Sequence, residues 1–118
     1  MPVRIFNEHR NTVVAERAGE AHSFLSRLRG LLGRPPLPRG GGLVLYGTKA
    51  VHMMGMSYAI DVIFLNPERC IIYQMERLRP WRATPVFWNA AMVLELPEGA
   101  ISASLSQIGD RLRLDPLP

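Results

Sequence analysis

The segment from residue 60 to residue 75 constrains the fold more than any other part of the sequence. Two apolar runs, Ile60–Leu65 and Cys70–Met75, are separated by the polar stretch Asn66-Pro67-Glu68-Arg69. Branched and aromatic side chains favour extended strands, whereas proline flanked by polar residues favours a turn. The segment therefore predicts an antiparallel β-hairpin, and its strongly apolar first run predicts a strand covered by a core.

Similar short runs on either side of the hairpin continue this pattern along the chain. Each run is rich in aliphatic residues and is bounded by turn-forming residues. They predict further strands at residues 3–7, 12–17, 43–46, 91–96 and 111–114. Because the strands are short and two pairs of them are joined by short turns, at residues 8–11 and 66–69, we expect a mostly antiparallel sheet that curls or closes into a barrel.

Two segments have a helical pattern instead. In residues 21–33 the apolar side chains fall on one stripe, and Gly33 followed by Pro35-Pro36 ends the pattern. Residues 100–106 predict a short second helix with Ile101 and Leu105 on its inward face. The predicted fold class is therefore α+β, with a β-barrel or curled sheet, one main helix and one short helix.

Composition limits the class of protein further. A chain of 118 residues with 47% hydrophobic residues suits one globular domain spanning residues 1–118. The single cysteine, Cys70, excludes a disulfide framework and any zinc site that needs two thiolates. No apolar stretch approaches the roughly 20 residues of a membrane span, and the N-terminus has no apolar signal region. We therefore expect a soluble, cytoplasmic protein with no membrane partner.

The net charge of +4 is unevenly distributed. No acidic residue occurs between Glu20 and Asp61, and the Arg27–Lys49 stretch is basic. Such a stretch could bind nucleic acid weakly. However, no aromatic residue lies between Arg27 and Arg39 to stack on bases, and 13 of the 14 basic residues are arginine, which indicates a coding bias. A solvated face is therefore favoured over a nucleic-acid site.

The pentapeptide His52-Met53-Met54-Gly55-Met56 combines imidazole and thioether groups. These ligands together favour Cu(I), and His52, Met54 and Met56 would share one face of an extended segment. The alternative is that the methionines fill the core and that the histidine satisfies a backbone carbonyl. The sequence therefore predicts no resident cofactor, with Cu(I) as an open alternative.

Two carboxylates interrupt apolar strands. Asp61 follows Ile60 in one strand, and Glu95 lies between Leu94 and Leu96 in another. A desolvated carboxylate has a raised pKa, and two that meet could act as an acid/base pair. Alternatively, each could cap a neighbouring loop or pair with an arginine. Asp110, which follows a glycine in a turn, is expected to bind backbone N–H groups.

Trp81-Arg82 lies in the irregular segment between residues 76 and 89. An indole beside a guanidinium suits planar ligands, sugars or carboxylates, through stacking and forked hydrogen bonds. The alternative is that Trp81 covers the open end of a small core.

Several segments occur in an order that identifies a family. They are Leu28-Arg29-Gly30-Leu31-Leu32-Gly33-Arg34, Gly41-Gly42-Leu43, His52-Met53-Met54-Gly55-Met56 with Ile60-Asp61-Val62-Ile63-Phe64-Leu65, and Val93-Leu94-Glu95-Leu96-Pro97-Glu98-Gly99 with Ile108-Gly109-Asp110. Over about residues 15–114 the chain resembles the bacterial and archaeal family called domain of unknown function 192. The resemblance implies a single β-rich domain and no assigned reaction. Similar proteins usually have an aromatic pair and a Phe-Pro pair at two positions where this chain has Met53-Met54 and Tyr58-Ala59. A pocket lined by those aromatic residues would therefore be altered here.

The leading hypothesis is a non-catalytic module that binds a small ligand or a protein partner, as a monomer or a homodimer. Its pocket would lie near the His52–Asp61 segment and would be lined by His52, Met56, Asp61, Trp81 and Arg82. The alternatives are an enzyme with Asp61 or Glu95 as general base, Cu(I) binding, and nucleic-acid binding.

Overall fold

A computed structural model describes residues 1–22 and 35–118 of the chain. Within these residues the fold is built from strands and one short helix. In chain order they are β1 (Val3–Asn7), β2 (Thr12–Ala21), β3 (Gly41–Tyr46), β4 (Ile60–Leu65), β5 (Ile71–Leu78), β6 (Met92–Pro97), α1 (Ala100–Ser104) and β7 (Leu112–Pro116).

The strands form one seven-stranded sheet in the order β5-β4-β6-β3-β2-β1-β7. Every pairing is antiparallel except that of β2 with β3, which is parallel. The predicted hairpin is present as β4 and β5. Its turn is held by the Cys70 N–H, which donates to Asn66 Oδ1 at 2.9 Å, and by the Asn66 N–H, which donates to the Cys70 carbonyl at 3.0 Å. Arg69 adopts a positive φ of 65° in this turn.

The sheet curls until its two edge strands touch at one end. Cys70 and Arg111 form an isolated antiparallel bridge between the residues that precede β5 and β7. The Ile71 N–H donates to the Asp110 carbonyl at 2.9 Å, and the Leu112 N–H donates to the Arg69 carbonyl at the same distance. The prediction of a curled, mostly antiparallel sheet is therefore confirmed.

The curled sheet has an apolar core on each of its two faces. The concave face contains side chains from all seven strands and from α1, including Ile5, Ile63 and Leu112. The convex face contains Phe64 and Val93. Because β4 and β6 are buried on both faces, their sequences are nearly continuous apolar runs rather than alternating ones.

Residues 47–59 and 79–91 form a covering layer over the convex face. The two segments run antiparallel, with hydrogen bonds from the Met53, Thr84 and Phe87 N–H groups to the carbonyls of Arg82 (2.7 Å), Val51 (2.9 Å) and Lys49 (2.8 Å). The side chains of Val51, Met53, Phe87 and Ala90 pack against the sheet. The covering layer therefore has an inner, packed side and an outer side that faces solvent.

The expectation of one main helix and one short helix is not borne out. Ala21 belongs to β2, and residues 23–34, which carry most of the predicted main helix, lie outside the described residues. A short helix is present, but it spans Ala100–Ser104 and is bounded by Gly99 and Leu105, which have positive φ angles of 97° and 60°. Ile101 is buried as predicted, whereas Leu105 follows the helix and is 60% exposed, so its predicted inward placement is wrong. No helix among the described residues is long and apolar enough to cross a membrane.

Candidate functional site

Asp61 is fully buried at the start of β4 and points into the concave core. Its carboxylate accepts three backbone N–H groups, from Arg77 at 3.0 Å, Gly99 at 3.2 Å and Ile101 at 2.9 Å. Arg77 has a positive φ of 55° at an irregularity in the pairing of β4 with β5. Asp61 therefore fastens β5 and the first turn of α1 to β4, and its environment is that of a capping residue.

Glu95 lies one strand away from Asp61 but on the other face of the sheet. Asp61 is paired with Leu96, whereas Glu95 is paired with Val62 on β4 and with Leu43 on β3. Directly opposed residues share a face, and consecutive residues alternate between faces. The two carboxylates are thus separated by the sheet and do not form an acid/base pair.

The carboxyl group of Glu95 is buried among aliphatic side chains on the convex face. It is 7% exposed, and its Oε1 atom finds no hydrogen-bond partner among the described residues. Burial raises the pKa of Glu95 to about 7, because the charged form loses its water without gaining a partner. Glu95 therefore has the proton affinity of a general base, but its unpaired oxygen is closed off from solvent.

The covering layer brings three of the predicted ligand residues together on its outer side. His52 and Ala83 form an antiparallel bridge, and the Trp81 N–H donates to the Met53 carbonyl at 2.8 Å. The side chains of His52, Trp81 and Arg82 are all exposed. Asp61 lies on the far side of the sheet, so it does not contribute to the same pocket.

The methionines of the His52–Met56 segment differ in environment. Met53 is buried in the convex core, Met56 packs partly against it, and Met54 is 60% exposed. The described residues contain no group of three or more His, Cys, Asp or Glu side chains suited to a metal ion. A Cu(I) site at His52, Met54 and Met56 remains a prediction.

A large cleft opens at a different place, beside the first half of β2. Its volume is about 920 Å³. The pairing of β2 with β3 begins only at Arg17 and Gly41, so no strand within residues 1–22 and 35–118 pairs with β2 on that side before Arg17. The space is bordered instead by α1, which is tied to β2 by the Thr12 hydroxyl donating to the Ser104 carbonyl at 2.6 Å. The described residues that line it are Val13, Val14, Glu16, Pro36, Leu37, Arg39, Gly40, Tyr58, Ala59, Ile60, Pro97, Glu98, Gly99, Ala100 and Ala103.

Among the described residues, three charged side chains line this cleft, and none of them was predicted from the sequence to do so. Glu16 is paired with Arg4 at 3.7 Å, and Glu98 is paired with Arg77 at 3.0 Å. Arg39 forms no ion pair within residues 1–22 and 35–118. The sequence offered two signals for Arg39. It belongs to the basic Arg27–Lys49 stretch, which was interpreted as a solvated face, and it lies in the glycine- and proline-rich stretch before β3, which is typical of a plain loop.

A buried polar cluster lies where the two sheet edges meet. Burial alone would raise the pKa of Asp110, but hydrogen bonds from Arg10, Asn7 and the Gln107 N–H outweigh it and lower the pKa to about 2. The Asn7 amide nitrogen donates to Asp110 Oδ2 at 3.0 Å and to Ser106 Oγ at 3.1 Å. The bond from the Gln107 N–H, 2.9 Å long, confirms that Asp110 ties its side chain to the backbone of its own turn.

The described residues thus form a single curled β-sheet with a lateral cleft beside α1. The chain belongs to the family of domain of unknown function 192, described as "Uncharacterized ACR", whose model matches residues 5–114. The resemblance drawn from the sequence motifs is therefore confirmed. No specific function is established for this family.

The chain is also similar in sequence to two archaeal proteins and in fold to a solved structure. The chain is 30% identical over 112 residues to a UPF0127 protein of Thermococcus sibiricus, covering 92% of this chain and 72% of the relative. It is 35% identical over 99 residues to a UPF0127 protein of Pyrococcus furiosus, covering 78% and 81%. A crystal structure of a protein of unknown function from Novosphingobium aromaticivorans shares the fold with a TM-score of 0.81, at 18% identity, covering 96% of this chain and 84% of that one.

Proposed function

We propose that the protein is a non-catalytic small-ligand-binding domain and that the cleft beside β2 is its binding site. The observation that carries this proposal is the size and lining of the cleft. Its volume of about 920 Å³ falls within the roughly 300–1,000 Å³ of small-molecule sites. Most lining side chains are apolar, and the few charged ones lie among them, which is the usual composition of a ligand pocket.

The charges of the cleft favour an anionic ligand. Both acidic residues are already compensated by arginines, whereas the guanidinium of Arg39 has no ion pair among the described residues. Arginine binds carboxylates and phosphates through two parallel hydrogen bonds. The preferred ligand is therefore a small amphipathic anion, with its apolar body against Leu37 and Ile60 and its acidic group at Arg39.

This cleft lies close to the predicted pocket but uses other residues. Tyr58, Ala59 and Ile60 of the His52–Asp61 segment line it, whereas Asp61 and the other four residues predicted to bind a ligand do not. The non-catalytic assignment is supported by the bonding of Asp61, whose carboxylate is occupied by three backbone groups. We retain the cytoplasm as the proposed location.

Binding of octanoate tests the proposal, because octanoate combines an apolar chain with one carboxylate. We expect octanoate to shift the NMR resonances of residues that line the cleft, and octanol to bind more weakly. Arg39→Gln should weaken octanoate binding about tenfold, the value of one charge-assisted contact. Arg79→Gln, which removes an exposed arginine outside the cleft, is the matched control.

A second pair of variants tests the location without changing charge. Ala103 lines the cleft, whereas the neighbouring Ser102 is exposed on the same helix and does not. Ala103→Phe should block octanoate binding, and Ser102→Phe should leave it intact. Unchanged binding in both Ala103→Phe and Arg39→Gln, with each variant folded, would contradict the proposal.

A further inference from the structure

The outer side of the covering layer carries a concentration of exposed apolar side chains. Met54 is 60% exposed, Trp81 68%, Val86 50% and Trp88 78%. Across the described residues, only Met1, Leu105 and Ile108 are comparably exposed large hydrophobic residues, and all three lie outside the covering layer. We refer to Met54, Trp81, Val86 and Trp88, with Arg79 and Arg82, as the aromatic–basic surface.

All six residues are exposed, and the positions of the covering layer that pack inward are other residues, including Val51 and Met53 in the first segment. Thr84 and Ala90 are buried, and Phe87 packs on the sheet, so the residues between them face outward. The backbone beneath the surface is fixed. Trp81 has a positive φ of 66°, which the bonds between its turn and Met53 maintain. The Lys49 ammonium donates to the carbonyls of Trp88 at 2.9 Å and Ala90 at 2.7 Å.

The charge of this layer has a single sign. Residues 47–59 and 79–91 contain Lys49, Arg79 and Arg82 and no aspartate or glutamate. Arg79 and Arg82 are exposed beside Trp81. An exposed apolar surface with unbalanced positive charge is complementary to a partner that has an apolar interior and an anionic surface.

We propose that the aromatic–basic surface docks on an anionic lipid bilayer. Indoles favour the membrane–water interface, and arginines favour the negative cytoplasmic leaflet. Each of the four apolar residues is at least 50% exposed, and binding to a bilayer requires no matching shape. Two of them, Met54 and Val86, are aliphatic and cannot stack on nucleic-acid bases. The expectation of no membrane partner rested on the missing span, and an interfacial surface needs none.

Tryptophan fluorescence gives a direct test, because Trp81 and Trp88 are the only tryptophans in the chain. Vesicles of phosphatidylglycerol and phosphatidylcholine in equal parts should move the emission to shorter wavelength, as the indoles leave water. Vesicles of phosphatidylcholine alone should cause a much smaller shift. Added salt should reverse part of the binding, since the arginine contribution is screened.

Single substitutions distinguish the contribution of the two indoles to vesicle binding from that of the arginine charges. In Trp81→Gly, where glycine suits the positive φ of that position, the emission reports on Trp88 alone. In Trp88→Ala, the emission reports on Trp81 alone. Vesicle co-sedimentation should fall for both. Arg82→Gln should weaken binding about fivefold, the value of one arginine at an anionic surface. Ile108→Ala and Arg111→Gln remove an exposed apolar residue and an exposed cation elsewhere, and they are the controls.

Two results would overturn the proposal. One is unchanged emission with phosphatidylglycerol vesicles in the folded wild-type protein. The other is quenching by a single-stranded thymidine oligonucleotide without any response to vesicles, which would assign the surface to nucleic acid instead. Because the aromatic–basic surface shares no residue with the cleft, neither result affects octanoate binding.

Discussion

The carboxylate of Asp61 accepts the backbone N–H of Ile101 at 2.9 Å, so a residue of the central sheet holds the first turn of α1. The same carboxylate holds Arg77 on β5. We expect Asp61→Ala to lower the free energy of unfolding by about 3 kcal/mol, because the buried N–H of Ile101 and the partly buried N–H groups of Arg77 and Gly99 lose their acceptor. Asp61→Asn keeps one acceptor oxygen and should cost about half as much. Urea unfolding of both variants measures this order, and an Asp61→Ala protein as stable as the wild type would refute the capping role.

Glu95 should make the protein less stable as the pH rises. Its pKa is about 7 in the folded state against an ordinary value of 4.5, so between these pH values the folded state binds more protons than the unfolded state. The free energy of unfolding should therefore fall by about 3 kcal/mol between about pH 4.5 and pH 8. Glu95→Gln should remove this slope.

The comparison must isolate the contribution of Glu95 from that of other titrating groups. The difference in unfolding free energy between Glu95→Gln and the wild type should grow from pH 5 to pH 8 in urea titrations. A difference that is constant across this range would show that Glu95 is not desolvated in the folded protein.

Asp110 should have the opposite pH dependence. Its pKa is lowered to about 2 from 3.8, so it stabilises the fold above the unfolded value and loses this effect as the pH falls towards 2. We expect Asp110→Asn to cost about 1–2 kcal/mol at neutral pH, allowing for solvent screening around Arg10. Asp115→Asn, which breaks the partly exposed pair with Arg113, should cost under about 0.5 kcal/mol. Equal effects of the two substitutions would contradict the special role of Asp110.

Two glycines in neighbouring strands should respond differently to alanine. A Cβ at Gly42 would lie 3.0 Å from Leu96 Cδ2 and 3.3 Å from the Glu95 carbonyl, whereas one at Gly19 would lie 3.5 Å from Leu43 Cδ1. We expect Gly42→Ala to destabilise the protein by about 1–3 kcal/mol through overpacking. Gly19→Ala should be neutral or slightly stabilising. Thermal unfolding of the two variants checks the difference, and equal melting temperatures would show that β3 and β6 can move apart.

The strands could be predicted from sequence because each depends on local pattern. The hairpin of β4 and β5 needs only two apolar runs and the turn at Asn66–Arg69. The order of strands could not be predicted, because no local sequence pattern indicates that β2 and β3, which lie on either side of residues 22–40, pair in parallel. That pairing also creates the cleft, so the cleft was missed for the same reason.

Part of the candidate site could likewise be predicted from local sequence, and part could not. The burial of Asp61 and Glu95 follows from their apolar neighbours, and the capping role of Asp61 was one of the two alternatives. Asp61 and Glu95 lie on opposite faces of the sheet because of the register between β4 and β6. The alternation of side chains within one strand does not reveal that register. Arg39 was missed as a cleft residue because the basic Arg27–Lys49 stretch was interpreted as a solvated face, and no pattern in the sequence distinguishes Arg39 from the other cations of that stretch.

The placement of β1 between β2 and β7 has a consequence for folding kinetics. Asn7 and Asp110, which meet in the polar cluster, are 103 residues apart in the chain. Closing so long a loop carries a large entropic cost, and folding rates fall as such non-local contacts increase. One edge of β1 therefore stays open until β7 has been synthesised and has docked, so the interval before that docking is when a nascent chain is most exposed to strand-mediated aggregation.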